Sequence, residues 1–292
     1  MSAKKKTAFI GLGVMGFPMA GHLSNNGFDV TVYNRTSIKA EQWTDKYTGK
    51  KANSPSEAAE DVDYMFCCVG NDNDLREVAY GPNGFFAGIK PGSVIVDHTT
   101  TSAEVARELY AEAKSQNCHF LDAPVSGGQA GAEQGTLTIM VGGDQVVFDR
   151  TNSVMETYGQ AVTWMGDSGA GQLSKMVNQI CIAGLVQALA EGLNFSQRAG
   201  LDGEKLLNVI SKGAAQSWQM ENRGLTMLRN EFNFGFAVDW MRKDLGICMD
   251  EAKRNGAELP ITKVIDEFYA KVQEKGGNRL DTSSLMTLLA QN

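Results

Sequence analysis

Short runs of apolar residues alternate with amphipathic stretches through the first half of the chain. The runs are rich in β-branched and aromatic residues, which is typical of strands. We predict strands at residues 7–11, 29–33, 64–69, 93–97, 119–123 and 137–143. Between them, Ser54 and Ser102 stand where helices would begin, and Ser54-Pro55-Ser56-Glu57 has the capping-box pattern. Strands this apolar that alternate with helices indicate a parallel sheet covered on both faces, and therefore an α/β domain.

The pattern changes at about Gly166. Beyond this residue the strand signals stop and long helical patterns take over, the first of which carries no charge from Met176 to Ala190. We therefore predict an α/β domain over residues 1–166 and an all-α domain over residues 167–292. A long helix over about 170–199 would join the two domains.

The composition narrows the possible function classes. The 292 residues are 42% hydrophobic and 21% charged, with a formal net charge of −7. This acidic balance is the opposite of the basic surface that nucleic-acid binding requires, and no uncharged apolar run is long enough to predict a membrane span. The five cysteines and three histidines lack metal-ligand spacing, so we expect no bound metal and reduced thiols in the cytoplasm.

A glycine-rich turn follows the first predicted strand and opens a helical pattern, with Gly11, Gly13 and Gly16 spaced as G-x-G-x-x-G. Glycines at this spacing permit a tight turn, close approach of the backbone to a pyrophosphate, and close packing of helix on strand. The spacing alone also occurs in ordinary turns, but its place between a strand and a helix favours a Rossmann-type dinucleotide site. We expect Val14 and Met15, in the same turn, to contact the cofactor.

The residues after the second predicted strand bear on the choice of cofactor. An NAD-binding protein usually has Asp or Glu there to accept a hydrogen bond from the ribose 2′-hydroxyl. This chain has Asn34, Arg35 and Thr36. Arg35 offers a guanidinium to a 2′-phosphate, and Asn34 adds no repelling charge. The sequence therefore predicts NADP(H) in preference to NAD(H); the alternative is that Arg35 simply faces solvent.

A second glycine-rich segment, residues 121–137, also follows a predicted strand. It contains Ser126, Gly127 and Gly128. Backbone N–H groups and a hydroxyl in a loop of small residues suit a small carboxylate. We predict that this loop binds the carboxylate of a small substrate, and a flexible turn is the alternative.

Lys175 begins the uncharged helical stretch, and Asn178 lies three residues later on the same helix face. Lysines near helix ends commonly extend into water. A lysine buried between two domains would instead have a lowered pKa and could exchange a proton with a substrate. His98 is a second candidate acid/base because it directly follows a predicted strand, although a loop or packing role is favoured for it.

Four segments resemble the signature sequences of the β-hydroxyacid dehydrogenase family, in order and over essentially the whole chain. They are FIGLGVMGFPMAGHL, DAPVSGGQAGAEQGTL, GAGQLSKMVNQ and FGFAVDWMRKDLGI. The resemblance implies a Rossmann-type domain followed by an all-α domain. It also implies reversible NAD(P)-dependent conversion of a small 3-hydroxy or 4-hydroxy acid to its semialdehyde, in a homodimer or homotetramer.

The resemblance further implies roles in substrate binding and catalysis. Lys175 would be the general acid/base and Asn178 would hold the substrate. Ser126, Gly127 and Gly128 would bind the substrate carboxylate.

The resemblance implies cofactor contacts as well. Thr100 would touch both the nicotinamide and the substrate, Phe236 would pack near the nicotinamide, and Lys243 would approach the cofactor. Val69 is included as a cofactor contact, but this chain departs from the family there. Where members often have Met-Leu followed by Pro or Asp, it reads Val69-Gly70-Asn71-Asp72.

Two other functions stay open at this point. A 6-phosphogluconate dehydrogenase has a similar glycine turn and uses NADP, but its helical domain is much larger than 292 residues allow. A non-catalytic cofactor-binding module of the same fold would be expected to lack Lys175.

Overall fold

The computed structural model describes residues 4–289. The chain divides into two compact units, Met1–Lys175 and Met176–Asn292. The first unit contains a nine-stranded sheet with helices, and the second unit is helical in the part of the chain that is described. The predicted fold class, a Rossmann-type α/β domain followed by an all-α domain, is confirmed.

The strands of the first unit lie close to the predicted positions. They are β1 Lys6–Ile10, β2 Asp29–Tyr33, β3 Lys50–Lys51, β4 Tyr64–Cys67, β5 Val94–Asp97, β6 His119–Asp122, β7 Val125–Ser126, β8 Leu137–Gly142 and β9 Gly159–Gly166. Three of these strands, β3, β7 and β9, were not predicted from the sequence. β9 is an edge strand whose residues are largely exposed, although its sequence, GQAVTWMG, contains four apolar residues.

The helices of the first unit connect these strands. They are α1 Gly16–Asn25, α2 Ser37–Lys46, α3 Pro55–Ala59, α4 Asp72–Tyr80, α5 Ala103–Ser115, α6 Gly128–Gln134 and α7 Gln145–Met155, with a 3₁₀ helix at Phe85–Ala87. The predicted helix starts at Ser54 and Ser102 are confirmed, because each hydroxyl accepts a hydrogen bond from the backbone N–H three residues later.

The sheet order is β3-β2-β1-β4-β5-β6-β8, and both β7 and β9 pair with β8. The first six strands in this order are parallel, and the order reverses between β1 and β4. The expectation of a parallel sheet is wrong at β8, which runs antiparallel to β6 and β7. β6 and β7 pair with β8 in the same register, on either side of Pro124. The chain turns back after β7 and re-enters the sheet in the opposite direction, without the crossover that a parallel strand needs.

Both faces of the sheet are buried, as the apolar runs predicted. In β1, Phe9 packs in one apolar cluster, while Ala8 and Ile10 pack in another on the opposite face. All three side chains have no exposed surface. The side chains of β1 therefore contribute to the core on both faces of the sheet. A ligand can reach the sheet only at an edge, such as the one where the parallel strands end.

The long helix α8 spans Ala170–Arg198 and belongs to both units, with Lys175 as the last residue of the first. The second unit continues with α9 Gly203–Ile210, α10 Trp218–Leu228, α11 Val238–Asn255, α12 Pro260–Glu274 and a 3₁₀ helix at Thr282–Leu288. Its apolar core includes Ala183, Val186 and Leu193 from α8. By length and composition alone α8 is long and apolar enough to cross a membrane, and 44% of its most apolar window is buried within the protein; one helix of this kind is weak evidence of a membrane span.

His98 lies in the core of the first unit. Its Nδ1 is 2.6 Å from the carbonyl oxygen of Ala123, and its Nε2 is 2.9 Å from the hydroxyl of Tyr158. Because a carbonyl can only accept, Nδ1 carries the proton and Nε2 accepts from Tyr158. The ring also stacks on Phe66. Burial lowers the pKa of His98 to about 4, so the ring is neutral at physiological pH and has a packing role.

We expect His98 to make the protein sensitive to mild acid. The folded pKa lies below the ordinary value of 6.5, so the unfolded chain binds a proton first as the pH falls. The free energy of unfolding should therefore decrease between about pH 6.5 and pH 4, by up to about 1.4 kcal/mol per pH unit from this group. Denaturant titrations of wild type and His98→Gln at pH 7.5, 6 and 5 measure this contribution.

The variant should be less stable than wild type at pH 7.5, with a gap that narrows toward pH 5. Parallel stability curves for the two proteins would contradict the assignment of a neutral, buried His98.

Candidate functional site

The glycine turn after β1 packs tightly against the neighbouring strand end. Gly11 has a φ of +96°, and a Cβ there would lie 2.2 Å from the carbonyl oxygen of Cys68, just after β4. A Cβ on Gly16 would lie 1.9 Å from the carbonyl oxygen of Gly11. The fold itself therefore requires these two glycines, because any side chain would separate β1 from β4 or α1 from the turn.

Gly13 has no such structural cause. A Cβ at this residue would meet no protein atom within 4 Å, so its missing side chain leaves open space beside the backbone. The first turn of α1 contains no acidic residue, and the positive end of this helix favours an anion. Met15 is partly buried and Val14 is 60% exposed, in the same turn. This open cradle fits the pyrophosphate of a dinucleotide.

Asn34 fixes the turn from the end of β2. Its Oδ1 accepts a hydrogen bond from the backbone N–H of Leu12 at 2.8 Å, and its Nδ2 donates to the carbonyl oxygen of Thr36 at 3.0 Å. This bracing contact was not foreseen from the sequence, which identified Asn34 only as a neutral residue at the ribose position.

Arg35 projects from the end of β2 with 80% of its side chain exposed. Its Nη1 lies 3.1 Å from Oδ1 of Asp74, in the first turn of α4. An ion pair this exposed contributes little to stability. Arg35 is thus available to an incoming anion, but a carboxylate already stands beside it.

The loops after β4 and β5 are joined at the same edge of the sheet. The backbone N–H of Val69 donates to Oγ1 of Thr99 at 3.0 Å, and Thr100 follows. The backbone N–H of Thr99 donates to Oδ1 of Asp97 at 3.0 Å. Burial raises the pKa of Asp97 to about 7. The structure therefore brings Val69 and Thr100 to one edge, together with the glycine turn after β1.

Ser126 ends β7, Gly127 follows it and Gly128 begins α6; Ser126 is partly exposed and both glycines are exposed. Gly127 has a φ of +132° and Gly128 a φ of +62°, which other residues rarely adopt. A Cβ on Gly128 would meet no protein atom within 4 Å. The glycines therefore hold an open backbone conformation at the predicted carboxylate loop.

Lys175 lies in the second turn of α8 and is only 7% exposed. The first turn of this helix is anchored by a residue that sequence reasoning did not single out. Oδ1 of Asp122 accepts the N–H of Gly169 at 2.8 Å, and its Oδ2 accepts the N–H of Gln172 at 2.9 Å. Burial raises the pKa of Asp122 to about 6, and the hydrogen bonds from these backbone N–H groups act in the opposite direction, lowering it. The separation of 47 residues between Asp122 and Gly169 explains why no sequence pattern revealed the contact.

Two of the remaining predicted residues are connected within the second unit. Asn178 donates through Nδ2 to Oε1 of Gln179 at 2.8 Å, and Gln179 donates to Oδ2 of Asp244 at 2.6 Å. The Nζ atom of Lys243 lies 3.0 Å from Oδ1 of the same carboxylate. Gln179 and Asp244 are each 2% exposed. A buried polar chain thus links Asn178 to Lys243, and its two central members were missed from the sequence.

Phe236 is placed by a different contact in the second unit. Its backbone N–H donates to Oδ2 of Asp281 at 2.9 Å, and its ring packs against the helical core. Asp281 is 1% exposed and also accepts from Arg223. Over residues 4–289 no group of three or more His, Cys, Asp or Glu side chains could hold a metal ion.

Each unit matches a known family profile. Residues 6–166 match the NAD-binding domain of 6-phosphogluconate dehydrogenase, and residues 169–289 match the NAD-binding region of NADP-dependent 3-hydroxyisobutyrate dehydrogenase. The second match separates this chain from the 6-phosphogluconate dehydrogenase alternative, because the helical part of the chain follows the hydroxyisobutyrate type.

Relatives cover nearly the whole chain. An oxidoreductase of Shewanella frigidimarina is 61% identical over 98% of this chain and 99% of its own length. A mitochondrial 3-hydroxyisobutyrate dehydrogenase-like protein of Arabidopsis thaliana is 41% identical over 97% of this chain and 85% of its own. The structure of Mycobacterium tuberculosis 3-hydroxyisobutyrate dehydrogenase with L-serine superposes with a TM-score of 0.89, at 29% identity, over 99% of this chain and 100% of that one.

The dinucleotide cradle of the first unit, the two profiles and the full-length relatives agree on one class of protein. The chain is a hydroxyacid dehydrogenase with an NAD(P)-binding domain, and it belongs to the β-hydroxyacid dehydrogenase family.

Proposed function

We propose that this enzyme transfers a hydride reversibly between NADP(H) and a small carboxylic acid bearing a 3-hydroxy or 4-hydroxy group, or the corresponding semialdehyde. The observation that carries the proposal is Lys175, a lysine that is 7% exposed on a helix anchored at the sheet edge. An amine held at this place can donate a proton to a substrate oxygen, or accept one from it, during turnover.

The residues of this chain would divide the chemistry as follows. The nicotinamide, when bound, supplies or accepts the hydride. In reduction, the ammonium of Lys175 donates a proton to the carbonyl oxygen of the substrate and stabilises the negative charge that develops there. In oxidation, the neutral amine of Lys175 accepts the hydroxyl proton. Asn178, one helical turn further along α8, holds the substrate beside it.

The open bend at Ser126, Gly127 and Gly128 would bind the substrate carboxylate. Its positive φ angles and its exposure leave the bend free of the protein's own side chains at Gly128. The Mycobacterium tuberculosis relative was determined with L-serine, a 3-hydroxy acid with a free carboxylate. That ligand has the two groups, hydroxyl and carboxylate, that the proposed substrate class requires.

We expect Lys175→Ala to lower kcat by at least about a hundredfold, the scale of general acid/base catalysis. The KM for the cofactor should change little, because the cradle around Gly13 is intact. Steady-state assays with a panel of small semialdehydes and NADPH provide the measurement. Lys253→Ala, at an exposed lysine of α11, is the matched control and should retain wild-type turnover.

A folded Lys175→Ala protein with near-normal turnover would remove the lysine from the mechanism. It would leave the family assignment intact, because that rests on the whole chain.

NADP(H) is the proposed cofactor in preference to NAD(H). Arg35 is exposed at the end of β2. The residue at the ribose position is Asn34, which carries no charge and whose side chain braces the glycine turn. A charge-assisted contact between Arg35 and a 2′-phosphate would contribute about 1.5–3 kcal/mol, or roughly ten- to a hundredfold. Asp74 shares the guanidinium, so we expect a preference nearer the lower figure.

Arg35→Asp should reverse this preference. The aspartate repels a 2′-phosphate and offers the ribose hydroxyl an acceptor, so the KM for NADPH should rise at least about tenfold while that for NADH falls. Arg150→Asp makes the same change of charge at an exposed residue of α7 and should leave both values unchanged. Equal use of NADH and NADPH by the wild type would show that Arg35 does not bind the 2′-phosphate of the cofactor.

We also propose that two copies of the chain associate through α8. One exposed face of this helix carries uncharged residues throughout: Val177, Cys181, Leu185, Ala188, Gly192 and Phe195. Cβ atoms on Gly184 and Gly192 would meet no protein atom within 4 Å, so another helix could approach the backbone closely there. An identical helix presents an identical stripe, which suits a two-fold symmetric contact.

Replacing Leu185 and Phe195 by glutamate should therefore yield a monomer, since burying two carboxylates at a symmetric interface is costly. Light scattering at micromolar concentration should give a multiple of 31.6 kDa for wild type and 31.6 kDa for the variant. Val146→Glu, at a residue 78% exposed on α7, is the control and should stay oligomeric. A monomeric wild type would contradict the proposal.

A cytoplasmic location is part of the same proposal. Cys67, Cys118 and Cys248 are buried, and no disulfide joins cysteines in the described part of the chain. Burial raises the pKa of Cys248 to about 12 and that of Cys67 well above its ordinary value. These thiols stay protonated and act as small apolar side chains, as is typical of proteins in a reducing compartment.

A further inference from the structure

The start of α8 is capped by a residue from a distant strand rather than by its own N-terminal residues. Five α-helices have a local cap, in which the side chain at the helix start accepts the N–H three residues later: Ser54, Asn71, Ser102, Asp202 and Ser217. In α8 the acceptor is Asp122, at the end of β6, and both of its carboxylate oxygens are used. A local cap would satisfy the helix end equally well. A cap from a strand also fixes where the helix lies on the sheet.

Glycines bring the helix and the sheet into backbone contact at this place. A Cβ on Gly171 would lie 2.4 Å from the carbonyl oxygens of both Asp122 and Met140. A Cβ on Gly142 would lie 2.6 Å from Oδ1 of Asp122 and 2.7 Å from the backbone nitrogen of Gly171. No side chain lies between the helix and sheet backbones here, so none can absorb a shift by changing its rotamer. A change at Asp122 therefore moves the helix backbone directly.

Gln172 extends the same contact to the loop after β5. Its Nε2 donates to the carbonyl oxygen of Thr99 at 2.7 Å, and its Oε1 accepts the N–H of Thr101 at 3.1 Å. Both Gln172 and Asp122 have no exposed surface. The two hydrogen bonds bracket Thr100, while Lys175 follows Gln172 by one helical turn. One buried cluster therefore fixes the position of the Lys175 backbone relative to that of Thr100.

We propose that Asp122 is a positioning residue for catalysis: its carboxylate sets the place of α8 on the sheet and, through Gln172, the place of Lys175 relative to Thr100. This inference rests on the proposed role of Lys175 as the acid/base. Asp122 touches neither reacting atom. It acts through the backbone of α8. A displacement of the catalytic group by about 1 Å is enough to lower the rate of a positioned reaction strongly.

Asp122→Asn is the informative change because it keeps the shape of the side chain. The amide has one acceptor oxygen, so one of the two N–H groups of α8 would face an NH₂ group instead. We expect kcat to fall about ten- to a hundredfold, with the KM for NADPH within about twofold of wild type. Asp202→Asn makes the same substitution at the local cap of α9 and should leave kcat unchanged.

A double-mutant cycle with Lys175→Ala separates positioning from a general loss of structure. If Asp122 acts through Lys175, adding Asp122→Asn to Lys175→Ala should cost less than about twofold in kcat, because the positioned group is already gone. An independent structural effect would instead multiply with that of Lys175→Ala. Gln172→Glu keeps the acceptor for Thr101 and loses the donor to Thr99, and it should show the same non-additivity if Asp122→Asn does not fold.

The possible outcomes are distinct. Wild-type kcat in Asp122→Asn, or additive losses in the cycle, would overturn the positioning role and leave Lys175 as the acid/base. Retained activity in Lys175→Ala alone would overturn both this inference and the proposed lysine mechanism.

Discussion

The buried carboxylate of Asp122 at the start of α8 is the contact on which the arrangement of the first unit depends. Two backbone N–H groups of the helix point at it, and Gly142 and Gly171 leave no room for anything between helix and sheet. Without that acceptor, two buried donors would lack partners, at a cost of about 1–3 kcal/mol each. The contact therefore stabilises the fold and fixes the helix that carries Lys175.

The same edge of the sheet shows how one region can be rigid and yet open. Gly11 and Gly16 are packed so closely that no side chain could replace them, whereas Gly13 and Gly128 face open space. Asn34 braces the glycine turn from the neighbouring strand. The tightly packed glycines and the hydrogen bonds hold the backbone, and the open glycines leave it accessible. This division is what a pre-organised dinucleotide site requires.

Much of this could be predicted from local sequence. The strand positions, the helix starts at Ser54 and Ser102 and the switch to an all-helical second half follow from residue spacing, because periodicity and capping act over a few residues. The antiparallel turn of β8 and the edge strand β9 were missed. β9 lies at the edge of the sheet and is partly exposed, and the antiparallel direction of β8 is set by its pairing with β6 and β7 rather than by any local pattern.

The sequence by itself determined the fold class, the dinucleotide turn and the identity of the family, since each depends on residues close together along the chain or on ordered motifs. The positions of Lys175 and Asn178 on one helix face were likewise local. Only the tertiary structure decided that His98 is a neutral core residue, that Asp122 caps a helix 47 residues away, and that Gln179 and Asp244 link Asn178 to Lys243. These are contacts between side chains that folding alone brings together. Their energies depend on burial, which no residue has until the core has formed.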